Sequence, residues 1–163
     1  MLLSGKQREQ AVTVLRNLAR EGTPPVRSRA AECLMEIGGE RAVVVLVDLL
    51  ADPHPRVRQK AAAALGHLRI HSAKPALQKL LITDQQKEVR IEVARALGRL
   101  NDRSGLPMVM EMLGDTNGNQ RRLAVMSLHD IIGQRFSSSQ EGVESAKRYL
   151  EIQADKLLNG DQA

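Results

Sequence analysis

The sequence predicts an all-α fold, an α-solenoid of about nine helices stacked as antiparallel pairs. Three observations predict it. A helical pattern centred on Arg56–Leu68 (RVRQKAAAALGHL) returns along the chain with a period of 31 or 32 residues. The apolar content of 42% comes almost wholly from Ala, Val, Leu, Ile and Met, with one Phe, one Tyr and no Trp. Such a composition favours closely packed helices over sheets. Finally, an acidic residue stands six positions ahead of an arginine in every unit.

At 163 residues the chain suits a single domain, and a domain of this size buries about 70% of its unfolded surface. The lone Cys33 excludes an internal disulfide and fits a reducing compartment. MLLSGKQREQ at the N-terminus has no long apolar core, and no run approaches the roughly 18 apolar residues of a membrane span. The chain therefore reads as cytoplasmic, with no membrane contact.

The elements follow in order. Glu9 to Arg20, within a half repeat over 5–20, carries a helical stripe of Ala11, Val14, Leu15 and Leu18. Three full repeats (25–51, 54–82 and 86–113) and a divergent last repeat with a terminal cap (117–158) complete one domain. First helices start from Val26, Val57, Val89 and Gln120. Offset positions then hold Ala30, Ala61, Val93 and Ala124; Ala31, Ala62, Ala94 and Val125; Cys33, Ala64, Ala96 and Ser127; and Leu34, Leu65, Leu97 and Leu128. Ile37, Leu68, Leu100 and Ile131 close the set, and together these offsets trace one broad helical face. Small residues let the neighbouring helix come close. The second helices repeat Ala42, Val45, Leu46, Leu49 and Leu50 as Ala73, Ala76, Leu77, Leu80 and Leu81, then as Gly105, Met108, Val109, Met112 and Leu113. Gly38-Gly39, Pro53 and Pro55, Asn101–Ser104 and Gly114–Gly118 punctuate the turns. After Ser137–Ser139 comes an amphipathic helix with Val143, Ala146, Leu150, Ala154 and Leu157 on its apolar side.

The acid–arginine pairs are Glu21 and Arg27, Asp52 and Arg58, Asp84 and Arg90, and Asp115 and Arg121. The acid closes one helical pair and the arginine opens the next, so the two should meet beside the turn and form a structural ladder. With these residues quoted, the pattern resembles HEAT repeats of the short, phycobilisome-lyase-like type, whose core reads D…VR..AA.ALG.L. The resemblance covers about residues 10 to 132, and DQQKEVRIEVARALGRL (Asp84–Leu100) carries it best. Gln120 and His129 depart from it in the fourth unit. It implies a HEAT-like superhelix, and bilin-lyase chemistry as an alternative function. Deoxyhypusine hydroxylase shares this repeat type but holds iron through His-Glu pairs. No His-Glu dipeptide occurs here, so that activity is not carried over.

The residues themselves suggest no catalytic or metal centre. Four acid–arginine pairs at the repeat period read as scaffold, because active sites are seldom repeated along a chain. His67 and His71 stand four apart, but a turn is expected between them. Cys33 takes the small core position held elsewhere by Ala64, Ala96 and Ser127. No cofactor is assigned.

Surfaces remain. In such a stack the second helices are expected to line a concave groove. Its expected partner-binding residues are Val43, Val47, Lys74, Gln78, Lys79, Leu106 and Met110. From Pro53 to Thr83 there is no acid, and Arg56, Lys60 and His67 form an expected basic outer patch. The reading is a non-enzymatic scaffold or adaptor holding an acidic protein segment. Nucleic acid ranks third: its readers add aromatic platforms or an unbroken basic stripe, and Glu88, Glu92 and Glu111 interrupt any stripe here. The state is expected to be a monomer, or an association through the uncapped N-terminal end.

Overall fold

The computed structural model describes residues 4–159, and among them there are nine α-helices and no strand. Ser4 opens α1 (Gly5–Glu21) with a capping box: its Oγ accepts from the Gln7 N–H, and its own N–H donates to Gln7 Oε1 at 2.8 Å. α2 (Pro24–Ile37) begins on proline, whose missing N–H costs nothing at a helix start. α3 (Glu40–Asp48) runs into a 3-10 turn at Leu49–Ala51, and α4 (Pro55–His67) again starts on proline. α5 (Lys74–Thr83), α6 (Lys87–Arg99), α7 (Leu106–Leu113), α8 (Gly118–Ile132) and α9 (Gln140–Asn159) follow. Just past the end of each first helix stands a residue of positive φ: Gly38, Arg69, Asn101 and Gly133, with φ of 64°, 53°, 57° and 75°. Gly133 adopts the αL cap that closes many helices, while Gly38, with ψ of −166°, extends the chain instead.

Two layers result. α2, α4, α6 and α8 lie side by side, and each second-type helix packs chiefly on the first-type helix that follows it: α1 on α2, α3 with its 3-10 turn on α4, α5 on α6, α7 on α8. α9 covers the end of the stack against α7 and α8. Val57, Ala61, Ala62, Leu65, Val89, Val93, Ala94, Ala96 and Leu97 are fully buried between the layers. The close approach depends on glycine. A Cβ at Gly66 would stand 2.7 Å from the Ala96 Cα, and one at Gly98 would stand 2.6 Å from the Ile131 Cα. The one Phe and the one Tyr pack edge to face at 5.5 Å, Phe136 of the loop against Tyr149 of α9.

The first unit differs from the expectation. Val14 and Leu18, placed by pattern in the apolar stripe, are 59% and 42% exposed, and Val12 is buried instead. In α3 and its 3-10 turn the equivalent Val45 and Leu49 are buried. No described helix covers the outer side of α1, so the face that interior units bury stays open. For the same reason Val26 is 38% exposed where Val57 and Val89 are fully buried, and Cys33 is half-buried where Ala64 and Ala96 are buried. Met1–Leu3 and the side chain of Ala154 lie outside the described residues. On α9, Val143, Ala146 and Leu150 are buried, while Glu144, Arg148 and Glu151 face out.

Candidate functional site

The turns between units are joined by arginine, and the pairing differs from the expected one. Arg27 reaches forward to the acid of the next unit: its Nε donates to Asp52 Oδ2 at 2.7 Å and its Nη2 to Asp52 Oδ1 at 2.8 Å. Arg58 does the same to Asp84, at 2.6 and 2.9 Å. The remaining nitrogen, Nη1, turns back to its own loop and donates to the Gly22 carbonyl from Arg27 and to the Asp52 carbonyl from Arg58. Each carboxylate also accepts a backbone N–H two residues on, from His54 or Gln86. One guanidinium thereby ties two successive turns through charge-assisted bonds.

Further along, the pattern thins. Arg90 and Arg121 keep only the backward bond, to the carbonyls of Asp84 and Asp115, with Arg121 also reaching Thr116. Asp115 instead faces Lys87 Nζ at 3.6 Å. Glu21 is exposed and makes no ion pair among the described residues. Burial would raise the carboxyls of Asp52 and Asp84, but the paired arginines and the backbone donors outweigh it and hold both below their ordinary value.

Beside these turns, α3 and α5 leave a cavity of about 470 Å³ on the second-helix side. Val47, Leu50, Ala76 and Leu80 form its apolar walls, Asp52, Arg58 and Asp84 its floor, and Lys79 with Gln85 its rim. Of the groove residues expected from the sequence, this cavity brings together Val47 and Lys79. Val43 and Met110 are half-buried against the core elsewhere. Leu106 is fully buried and offers nothing to a partner, because α7 starts there and turns its first residue inward. Gln78 is exposed but held: its Nε2 donates to Asp102 Oδ2 at 2.7 Å. Lys74 lies half-buried on the same side, adding its charge to those that stabilise the Asp102 carboxylate. That carboxylate sits below its ordinary value, since the Ser104 hydroxyl and N–H and the Gln78 amide overcome the cost of its burial. Sequence reading missed Asp102, and also Val44 and Ile82, 55% and 82% exposed on α3 and α5.

The outer face is not one basic patch. Lys60 is bound across units to Glu32 Oε1 at 2.6 Å, and Arg56 stands exposed in the first turn of α4. His67 lies at the far end of that helix, near a cluster of Glu92, Arg95, Arg99 and Asp130. Burial, then the Arg99 charge, push its imidazole below the ordinary value. In the cluster Asp130 Oδ2 accepts from Arg95 Nε at 2.7 Å and from Arg99 Nη2 at 2.9 Å. The local signal for it was the Glu92–Arg95 spacing of three, which puts both on one helix face. Among the described residues no three His, Cys, Asp or Glu are grouped to hold a metal, and no helix is long and apolar enough to cross a membrane.

A stack of helical pairs with small residues between first helices and arginines across the turns defines a class, the α-helical repeat proteins. A family profile described as HEAT repeats matches residues 1–66, 43–129 and 74–144, and the chain belongs to the HEAT-repeat family. Among solved structures the chain is similar to one titled as the complex of CpcE and CpcF of phycocyanin lyase from Nostoc sp. PCC7120. The TM-score is 0.57 at 20% identity, covering 90% of each chain. It is also similar to human deoxyhypusine hydroxylase, with a TM-score of 0.56 at 21% identity, over 87% of this chain and 46% of that one. At these identities the likeness establishes the fold. No curated protein matches the sequence.

Proposed function

We propose that this protein is a scaffold that binds an acidic segment of a protein partner on its second-helix wall, with the cavity between α3 and α5 as the anchoring point. One observation carries the reading: an apolar-walled hollow of about 470 Å³, open at the surface and rimmed by Lys79. Its floor is already neutral, because Arg58 satisfies Asp84 and Arg27 satisfies Asp52. An apolar side chain therefore fits the walls without burying an unpaired charge, and an adjacent carboxylate reaches Lys79. Val44 and Ile82 are further exposed apolar side chains on the same two helices. The complex of CpcE with CpcF supports a protein as the partner of a stack of this kind.

A peptide-display selection tests it. Wild-type protein is expected to enrich peptides that pair a large apolar residue with Asp or Glu. Lys79→Glu, an exposed change that leaves the core intact, should weaken the selected peptides at least tenfold, and Val47→Asp should abolish their binding. No enrichment, or affinities unchanged in Lys79→Glu, would reject the groove. The second reading, a lyase-type subunit, is favoured by the likeness to the phycocyanin lyase complex. It requires that the purified protein, mixed with a linear tetrapyrrole, acquire a visible absorbance band that free pigment lacks.

A further inference from the structure

The opposite edge of the molecule holds a second cavity, of about 830 Å³, which shares no residue with the groove. It runs past the C-terminal ends of α4, α6 and α8 and is closed by Leu157 of α9. Arg69, Arg99, Arg103 and His129 line it, and Asp130 is its only carboxylate. We infer that this cavity binds a phosphate-bearing small molecule of nucleotide size.

The charge inventory carries the inference. Asp130 is saturated, since it accepts from Arg95 and twice from Arg99. Arg69 and Arg103 are exposed and make no ion pair or side-chain hydrogen bond among the described residues. Arg135 adds a further positive charge, its Nη2 lying 3.3 Å from His129 Nε2. Three arginines therefore line the space and Arg135 stands beside it, against Asp130, while Arg95 and Glu92, outside the lining, offset each other. The carbonyl ends of the three helices contribute about half a negative charge each. They reduce the positive excess by about half without removing it.

A second observation is independent of that count. Arg99 Nη1 is buried and has no acceptor within hydrogen-bonding distance, Glu92 Oε1 standing 3.8 Å away. A buried donor without an acceptor is costly, and the guanidinium that carries it lines the cavity. Guanidinium forks suit phosphate, which they grip through two parallel N–H bonds. Ile132 and Leu157, both half-buried at the wall, give an uncharged body somewhere to rest.

The test is calorimetry at low salt with inorganic pyrophosphate, ATP and, as the uncharged control, adenosine, using the wild type and Arg69→Ala/Arg103→Ala. Both changes are at exposed positions and leave the Asp130 cluster untouched. Pyrophosphate or ATP should bind at micromolar concentration, weaken at least tenfold in the double variant, and weaken again as salt is raised. ATP binding more tightly than pyrophosphate identifies an organic phosphate as the natural class; equal affinity identifies the phosphate group alone. Chemical-shift changes on the Arg69, Asn101 and Gly133 amides should accompany binding. Failure of both phosphates to bind at millimolar concentration, retention of affinity in the double variant, or shifts confined to other residues would each overturn the inference.

Discussion

Asp84 shows what a single side chain does in this fold. It is 5% exposed, receives both forward nitrogens of Arg58, and closes its own turn through the Gln86 N–H. Replacing it leaves a largely buried guanidinium without its carboxylate, so Asp84→Ala should cost about 3 kcal/mol in urea denaturation. Adding Arg58→Met should recover part of that loss, because the orphaned charge goes with it. Glu21→Ala, at the exposed first position of the series, should change stability by less than about 0.5 kcal/mol. The residues of the ladder were legible in the sequence; their partners were not. With a period of 31 or 32, an arginine six positions after one acid is also 25 or 26 before the next, and spacing alone gives no reason to choose. The choice is made in space, where the first turn of α2 or α4 faces the following unit.

Helices, unlike side-chain pairs, were readable almost throughout, because their apolar faces repeat in register and tertiary packing agrees with local propensity. Ala64 and Ala96, which the pattern puts between helices, are 1% and 0% exposed. The same regularity identifies the glycine contacts as the tightest points between first helices. Gly98→Ala would push a methyl into the backbone of α8 at Ile131, and should destabilise by about 1–3 kcal/mol. Gly5→Ala, where an added Cβ meets nothing within 4 Å, should not destabilise. Thermal melts of the two variants make the comparison directly. Leu106 marks where pattern reading fails at the level of an element. Its counterpart in α3, Val43, is only half-buried, whereas Leu106, the first residue of α7, is wholly buried.

For the whole molecule, acid is the informative perturbation. Asp52 and Asp84 are held below their ordinary value in the folded state, so the stability they contribute is complete above the unfolded value, near 3.8. It is lost as pH falls through the lower, folded value. Urea midpoints should therefore be insensitive to these two groups at neutral pH and drop steeply below about pH 4. An Asp52→Asn/Asp84→Asn variant should begin less stable and show a shallower drop. The cavities were beyond sequence reading for a general reason: each is enclosed by residues of different units. Lys79 meets Val47, and Arg69 meets Arg103 and His129, only after the stack has formed.

The forward reach of Arg27 and Arg58 also couples each turn to the one after it. The coupling is reciprocal: loosening the loop at Asp84 frees the start of α4, and fraying of α4 at Arg58 leaves the Asp84 turn without its cation. Loss of order at one turn should therefore reach the units on both sides of it.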